Sequence, residues 1–290
     1  MIRLGGVIFF CVLILSAQGQ QLKEYYTLED HCSVETVALI VDAPKGEWQI
    51  HAQPNQQNAI SILGNATLED LTPVFTTKQH ELTKTITFSF QELASQHISD
   101  LFDLHSHKNK WEVKLSQTKK YLLDLSYGIG NSKIDLSNAA IKNFNINTGS
   151  ANVEIDFSDP VGNYCYIDSF VVNVGMGSVK AYHISRSKAP KIVAKVGFGN
   201  ALLDFREEET LGCEIFASID AGNLEVLLSS QESPTMIKLK HSPLCGISLP
   251  KEFEEVEEDV YINSLYHPHA INLKVFNIDV AMGNVIFKKI

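Results

Sequence analysis

One nine-residue pattern returns six times along the chain, and it limits the possible fold more than any other feature of the sequence. The third residue of each copy is Gly or Ala, and the fourth is Asn or Ser. The whole chain has 17 glycines, so six matches at one pair of positions are hard to obtain by chance. The copies are GIGNSKIDL (128–136), GSANVEIDF (149–157), GMGSVKAYH (175–183), GFGNALLDF (197–205), DAGNLEVLL (220–228) and AMGNVIFKK (281–289).

The spacing of these copies predicts a solenoid. Successive offsets are 21, 26, 22, 23 and 61 residues, and a period near 22 residues with short strands around a small turn is typical of stacked rungs. Pairs such as Ile134 and Leu136, or Leu203 and Phe205, turn one face of each strand inward and the other toward solvent. The sequence therefore predicts an all-β fold, with a parallel β-solenoid of rungs of about 20–26 residues over residues 121–290.

Glycine and asparagine have structural roles in such a pattern. Glycine permits positive φ and close approach of stacked backbones, and the Asn amides of successive rungs can hydrogen-bond along the stack. We therefore expect the third and fourth positions to form a row of rung corners. These corners are Gly130 with Asn131, Ala151 with Asn152, Gly177 with Ser178, Gly199 with Asn200, Gly222 with Asn223, and Gly283 with Asn284.

Two regions depart from the repeat. The 61-residue gap is expected to hold two or three degenerate rungs, with strands at TMIKLK and CGISL and a solvated acidic excursion at EFEEVEEDV. Residues 20–120 read as a β-rich N-terminal region, continuous with the repeats because no Gly-, Pro- or Ser-rich linker separates them. In that region Ser89 and Glu92 resemble a capping box and predict one short helix from about residue 90 to 104.

The first 19 residues predict export. Arg3 is their only charge, Val7–Leu15 is an unbroken apolar run, and small residues precede a cleavage point after Gly19. The mature chain would start near Gln20, which N-terminal sequencing tests. No other stretch is long and apolar enough for a membrane span, so we expect no transmembrane segment in the mature chain. The expected location is the periplasm, the cell surface or the extracellular space.

The net charge and the number of cysteines limit the classes of partner and the cellular compartments that fit this chain. Loss of residues 1–19 leaves 23 basic against 34 acidic side chains, a formal charge of −11. A net acidic chain without a basic stripe argues against nucleic acid and against anionic membrane surfaces. Four cysteines remain, and they permit either two disulfides in one of three pairings or buried thiols: Cys32, Cys165, Cys213 and Cys245.

No motif in the sequence predicts a cofactor site. GIGNSK lacks the third glycine and the following helix of a dinucleotide-binding loop, and no Walker sequence occurs. The best candidates for a metal site are His105 and His107 with Asp103. The end of a helix also favours histidine, because its dipole attracts positive charge. We therefore assign no metal.

The residues to consider for catalysis are aspartates. Asp135, Asp156 and Asp204 share one repeat position between two inward apolar residues, so they are expected to form an outward acidic row, and Asp124 is a fourth candidate. Paired carboxylates on the face of a β-helix are the residues that glycoside hydrolysis requires. No nucleophile motif accompanies them, and we assign no catalytic residue.

The opening VDAPKGEWQIHA, the export signal and the serial GxG(N/S) rungs resemble a group of exported bacterial proteins of unknown function. This is the toast-rack or auto-transporter adhesin, head-GIN-like, β-solenoid group, and the resemblance covers about residues 34–290. It implies a right-handed parallel β-solenoid outside the cytoplasm and supplies no catalytic motif.

The sequence thus favours a non-enzymatic, adhesin-like structural or interaction protein of the bacterial cell envelope, with an envelope protein or a glycan as its partner. One alternative is a carbohydrate-active enzyme that uses the aspartates on a solenoid face. A second alternative, an envelope-stress regulatory module, depends on similarity of fold to the C-terminal region of envelope stress-response regulators.

Overall fold

The computed structural model describes residues 22–66, 71–92, 109–207, 211–231 and 233–290. Within these ranges the chain is almost entirely β-structure, apart from a 3-10 turn at Ile184–Ser187. The described strands are β1 (Leu22–Glu29), β2 (Thr36–Lys45), β3 (Glu47–Ala52), β4 (Asn58–Ala66), β5 (Leu71–His80), β6 (Thr83–Glu92), β7 (Lys110–Leu115), β8 (Lys120–Asp135), β9 (Ala140–Asp156), β10 (Ser169–Tyr182), β11 (Lys191–Phe205), β12 (Cys213–Leu228), β13 (Thr235–His241), β14 (Cys245–Ser248), β15 (Phe253–Glu257), β16 (Val260–Asn263) and β17 (Lys274–Lys289).

Strands β8 to β12 form the regular part of the stack. Each runs parallel to the next, with Ile134 paired to Ile155 and Leu203 to Val226. Each strand passes through its Gly or Ala corner, and the halves before and after the corner both bury alternate residues in one core. The predicted all-β, parallel, solenoid-like fold is confirmed, and the sheet remains open.

Strand β17 takes an out-of-sequence place in this stack. It pairs in parallel with β12 on one side and with β13 and β14 on the other, so Gly283 lies beside Gly222. The 61-residue gap does contain the expected strands at TMIKLK and CGIS, but they make one rung, and that rung does not lie between these two corners. Strands β13 and β14 lie beyond β17 instead, because β17 is long enough to cover both halves of β12. The EFEEVEEDV segment is not a plain excursion, since β15 in it pairs antiparallel with β16.

The N-terminal region contributes a rung that the repeat did not reveal. Strands β2 and β3 run parallel to β8, with Lys45 paired to Ile129 and Trp48 to Ser132. Gly46 lies between them and forms a corner beside that of β8. On their other side β2 and β3 pair with β6 and β7. In PKGEW, Pro44 stands at the first position of the corner and Glu47 stands where the other corners have Asn or Ser, so the pattern did not show it.

The predicted helix does not begin at residue 90. Residues 83–92 form β6, which pairs with β2 on one side and with β5 on the other. Ile86 and Phe88 are buried in the core, and Ser89 is opposite Val74 in the ladder. Sheet pairing satisfies the backbone there, so Ser89 has no helix to cap. The rest of the predicted helix, residues 93–104, lies outside the described residues.

Antiparallel strands cover both ends of the parallel stack. Strands β5 and β4 lie against β6 and β7, and β1 lies against β4. At the other end β16 lies against β13. One hydrophobic core runs between these ends, from Trp48 and Trp111, whose rings stack at 6.0 Å, to Phe276 and Phe287. The two tryptophans are therefore core residues.

Candidate interaction surface

The corners of successive rungs lie side by side. Gly130 pairs with Ala151, Gly199 pairs with both Gly177 and Gly222, and the register continues to Gly283. The φ of Gly199 is 142°, and a Cβ there would lie 1.7 Å from the carbonyl oxygen of Gly177. Only glycine fits this combination of positive φ and backbone contact. Ala151 is accommodated because its φ is not positive.

Beside the corners, the Asn positions form a ladder of side-chain hydrogen bonds. Asn152 Nδ2 donates to Asn131 Oδ1 at 3.1 Å, and Ser178 Oγ donates to Asn152 Oδ1 at 2.7 Å. A second run joins Asn223 to Asn200 at 2.9 Å and Asn284 to Asn223 at 2.7 Å. The ladder is exposed and uncharged, and its bonds hold neighbouring corners in register.

One corner is also fixed from the inside. In β8, the buried Tyr127 hydroxyl donates to Ser132 Oγ at 2.7 Å, which joins the strand halves before and after Gly130. Burial raises the pKa of Tyr127 to about 12, so this donor stays protonated in ordinary conditions. The corner of β8 therefore holds its exposed side chain on a rigid backbone.

The residue between the two small residues of the corner points into solvent. We call the apolar members of this row the corner ridge, and they are 42% to 74% exposed. Ser150 and Ala221 interrupt the row with smaller side chains. Seven strands at a spacing of about 4.8 Å make the row about 29 Å long. The corner ridge consists of Ile129, Met176, Phe198, Met282 and Leu244.

Sequence reasoning missed the corner ridge, although part of its signal was visible. Four of the six copies carry a large apolar residue at the second position, in GIG, GMG, GFG and AMG. Leu244 gave no signal, because it precedes β14, which has no GxGN sequence and is brought beside Gly283 by strand pairing alone.

A groove of about 880 Å³ adjoins the N-terminal end of the ladder. We call it the mixed-charge groove, because three lysines and three glutamates alternate along it. Lys133 and Glu154 approach at 3.6 Å, and Lys110 and Glu47 at 3.8 Å. Asn131, Asn152 and Ser178 of the ladder line its edge, so the groove is continuous with the corners. Its charged residues are Glu47, Glu112, Glu154, Lys110, Lys133 and Lys180.

The aspartates considered for catalysis do not form an outward acidic row. Asp135 and Asp156 are neighbours in the ladder, but Tyr182 occupies the next rung and separates them from Asp204. Asp204 is fully buried, because Leu203, Asp204 and Phe205 all turn away from solvent at the end of β11. Asp124 is exposed and accepts a hydrogen bond from Asn145 at 2.8 Å. The expected row is wrong for Asp204.

Asp204 instead forms an ion pair with Arg206. The guanidinium donates from Nε to Oδ1 at 2.9 Å and from Nη2 to Oδ2 at 2.7 Å, and the backbone N–H of Arg206 adds a third bond. Burial raises the pKa of the Asp204 carboxyl, but the Arg206 hydrogen bonds and charge more than offset this, so the pKa lies below its ordinary value. The ion pair lies at the end of the rung that β11 forms.

We expect Asp204→Asn to lower the free energy of unfolding by about 2 kcal/mol at neutral pH, because two charge-assisted hydrogen bonds weaken in a buried site. The matched change Asp135→Asn, at the half-buried equivalent position, should cost under about 0.5 kcal/mol. When folding lowers the pKa of a carboxyl group, its ionised form stabilises the folded state at pH values above the pKa that the group has in the unfolded chain. This contribution is lost as the pH falls through the pKa of the group in the folded chain. Urea unfolding in a pH series should therefore show the two variants converging in acid. Equal effects at pH 7 would contradict the assignment.

Comparison with known proteins identifies the family. Residues 18–182 match the N-terminal domain of toast_rack, DUF2154. The chain belongs to the toast-rack family. No protein with a curated description matches it. A solved structure of a "putative cell adhesion protein" from Clostridium sporogenes ATCC 15579 is similar at 16% identity, with 93% of this chain and 99% of that chain covered and a TM-score of 0.45.

The toast-rack match ends where β10 ends, yet the corner geometry continues. Beyond residue 182, β11, β12 and β17 repeat the same corner, with Asn200, Asn223 and Asn284 in one hydrogen-bonded run. The corner ridge also crosses this boundary, since Ile129 and Met176 lie inside the matched region and Phe198 lies outside it. The candidate surface therefore spans the whole toast-rack stack.

The remaining predicted sites contribute little to this surface. The metal candidates His105, His107 and Asp103 lie outside the described residues. No disulfide joins the four cysteines in the part of the chain that the structure covers, where Cys32 is exposed and Cys213 is buried. Among the described residues there is no helix that is both long and apolar enough to cross a membrane.

Proposed function

We propose that this toast-rack chain is an exported, non-enzymatic interaction protein of adhesin-like type in the bacterial cell envelope. Its corner ridge and mixed-charge groove together bind one protein partner. The observation that carries the proposal is the corner ridge, a row of large apolar side chains held in solvent by a backbone that leaves them no alternative direction.

The composition of the ridge favours a protein partner. Met and Phe are enriched at the centres of protein–protein interfaces, and charged residues are depleted there. Met176, Phe198 and Met282 fit that centre, and the uncharged Asn ladder beside them adds no desolvation cost for buried charge. Scattered exposed apolar residues need no explanation, but five large ones that share one position across neighbouring rungs do.

The mixed-charge groove provides the polar rim of such an interface. Its alternating Lys and Glu side chains can match a partner of complementary charge pattern and disfavour others. Rim charges of this kind act more on specificity and association rate than on affinity. Because the ladder bonds join neighbouring corners and the bond between Tyr127 and Ser132 fixes the corner of β8, binding requires little reordering of the backbone.

The test is the binding of labelled protein to envelope preparations from the source bacterium. We expect saturable binding that is lost when the envelope is first treated with protease. The double variant Met176→Ser/Phe198→Ser should weaken it about tenfold or more, since buried aromatic and Met anchors dominate interface energies. The control Leu82→Ser/Val256→Ser removes two equally exposed apolar side chains elsewhere and should bind normally. Binding that survives protease, or that both double variants weaken alike, would refute the proposal.

A further inference from the structure

A second groove lies on the outer face of the strand halves that precede the corners. It has a volume of about 440 Å³ and crosses β11, β12, β17 and β13 near the C-terminal end of the stack. We call it the lysine groove. The side chains that matter in it are Lys195, Lys238, Lys240, Phe216, Ser218, Asn277 and Asp279.

Strand register gives the groove two walls and a floor. One row across the sheet reads Lys195, Ser218, Asp279 and Lys240. Lys195 on β11 and Lys240 on β13 are separated by three strand spacings, about 14 Å. In this row the strands between them carry Ser218 and Asp279, and the next row carries Phe216 and Asn277, so the lysines border a floor that is partly polar and partly aromatic.

Part of the positive charge of the walls is not neutralised by an ion pair with a described residue. Lys240 is paired with Asp279 at 2.8 Å, whereas Lys195 and Lys238 are exposed and form no ion pair with any described residue. Lys191 adds a third cation, held 4.6 Å above the ring of Phe216. The nearby Glu214 accepts a hydrogen bond from Asn277 at 3.2 Å. Three lysines and one carboxylate line the groove, which makes it a positive site on a chain of net charge −10.

We propose that the lysine groove binds an acidic polysaccharide whose sugar carboxylates lie against Lys195 and Lys238. Ser218 and Asn277 on the floor are placed to hydrogen-bond sugar hydroxyls. The groove is on a different face from the corner ridge, so this inference goes beyond the protein-binding function and does not depend on it.

Two features favour a uronate polymer over a nucleic acid. Among the described residues that line the groove there is no arginine, the residue that is over-represented where phosphate is bound by two parallel hydrogen bonds. Its Ser and Asn side chains can both donate and accept, which suits hydroxyl-rich sugars better than phosphates.

The experiment measures binding of the intact purified protein to polygalacturonate oligomers, with neutral dextran and a single-stranded oligonucleotide as parallel arms. We expect binding to polygalacturonate alone, and we expect it to weaken as salt is raised, because exposed charges are screened. The variant Lys195→Gln/Lys238→Gln should lose about tenfold in affinity. The control Lys78→Gln/Lys120→Gln makes the same charge change at two exposed lysines outside the groove and should leave affinity unchanged.

Circular dichroism melting of each variant separates loss of the site from loss of the fold. Because both lysines are exposed, all melting temperatures should agree with that of the unsubstituted protein. The inference is overturned by absence of polygalacturonate binding, by equal binding of dextran or the oligonucleotide, or by equal loss in the two double variants. The envelope-binding test of the corner ridge uses other residues, so either result can fail alone.

Discussion

Replacing Gly199 by alanine is expected to lower the free energy of unfolding by about 3–5 kcal/mol, a large part of the stability of a domain. The new Cβ would lie 1.7 Å from the Gly177 carbonyl oxygen, and the φ of 142° is one that alanine rarely adopts. Relief would require the corners of β10 and β11 to separate. That movement would break parallel ladder bonds on both sides of β11. The side facing β12 is affected because the backbone of Gly222 packs against Gly199 as closely as that of Gly199 packs against Gly177.

The chain offers its own control at the same repeat position. Ala151 already occupies the corner of β9, where φ is not positive, so Ala151→Gly should cost only about 1 kcal/mol or less through backbone entropy. Urea unfolding followed by circular dichroism compares the two variants. If Gly199→Ala also cost about 1 kcal/mol, contact between stacked corner backbones would not be what requires glycine there.

The corners could be predicted because their cause is local. Positive φ, close approach of the backbones and the alternation of inward and outward side chains each require particular residue types within a few adjacent positions. These residue types therefore recur in the sequence with every rung. The same reasoning failed at residue 90, where Ser89 and Glu92 satisfy a helix-capping pattern but pairing with β2 and β5 holds the segment in a strand. Tertiary pairing there outweighs a weak local preference.

The order of the rungs could not be predicted, because it is not local. The AMGN corner of β17 fits beside any other GxGN corner, so its sequence does not say that it lies between β12 and β13. The lysine groove was hidden for the same reason: Lys195, Phe216, Asn277 and Lys238 come from four strands, and their sequence spacing follows no motif. Burial of Asp204 likewise depends on how its rung ends, and its repeat position alone suggested exposure.

Deleting residues 274–290 is expected to unfold the C-terminal end of the stack while leaving its N-terminal rungs folded. The deletion removes five buried apolar side chains of β17, each contributing roughly 1.5–3 kcal/mol, or about 10 kcal/mol together. That sum is comparable to the stability of a whole domain. Stacked rungs contact only their neighbours, so the loss should be regional. The five are Phe276, Ile278, Val280, Val285 and Phe287.

Hydrogen exchange measures this regional loss. Amides of β12 and β13 should lose protection, whereas those of β8 and β9 should keep it. A competing outcome is that β13 moves one place and pairs directly with β12, since Thr235 and Cys213 share the same partner, Lys274. That shift would keep residues 235–241 protected and would contradict the prediction. We do not expect it, because β13 has 7 residues and β14 has 4, against the 16 of β17, so the two together would cover less of β12 than β17 does.

Supplying the deleted strand as a separate peptide tests the truncation and the glycine requirement at the corner in one experiment. A synthetic peptide of residues 274–290 should restore protection in β12 and β13 of the truncated chain, because its register is set by the corner at Gly283 and by the apolar residues on either side. The same peptide with Gly283→Val should fail, since a Cβ at this position would lie 1.6 Å from the Gly222 carbonyl oxygen. Rescue by both peptides would mean that the apolar residues alone place the strand. Rescue by the unsubstituted peptide alone would mean that stacked backbone contact at the corner is also required, in the C-terminal rung as in the rung of Gly199.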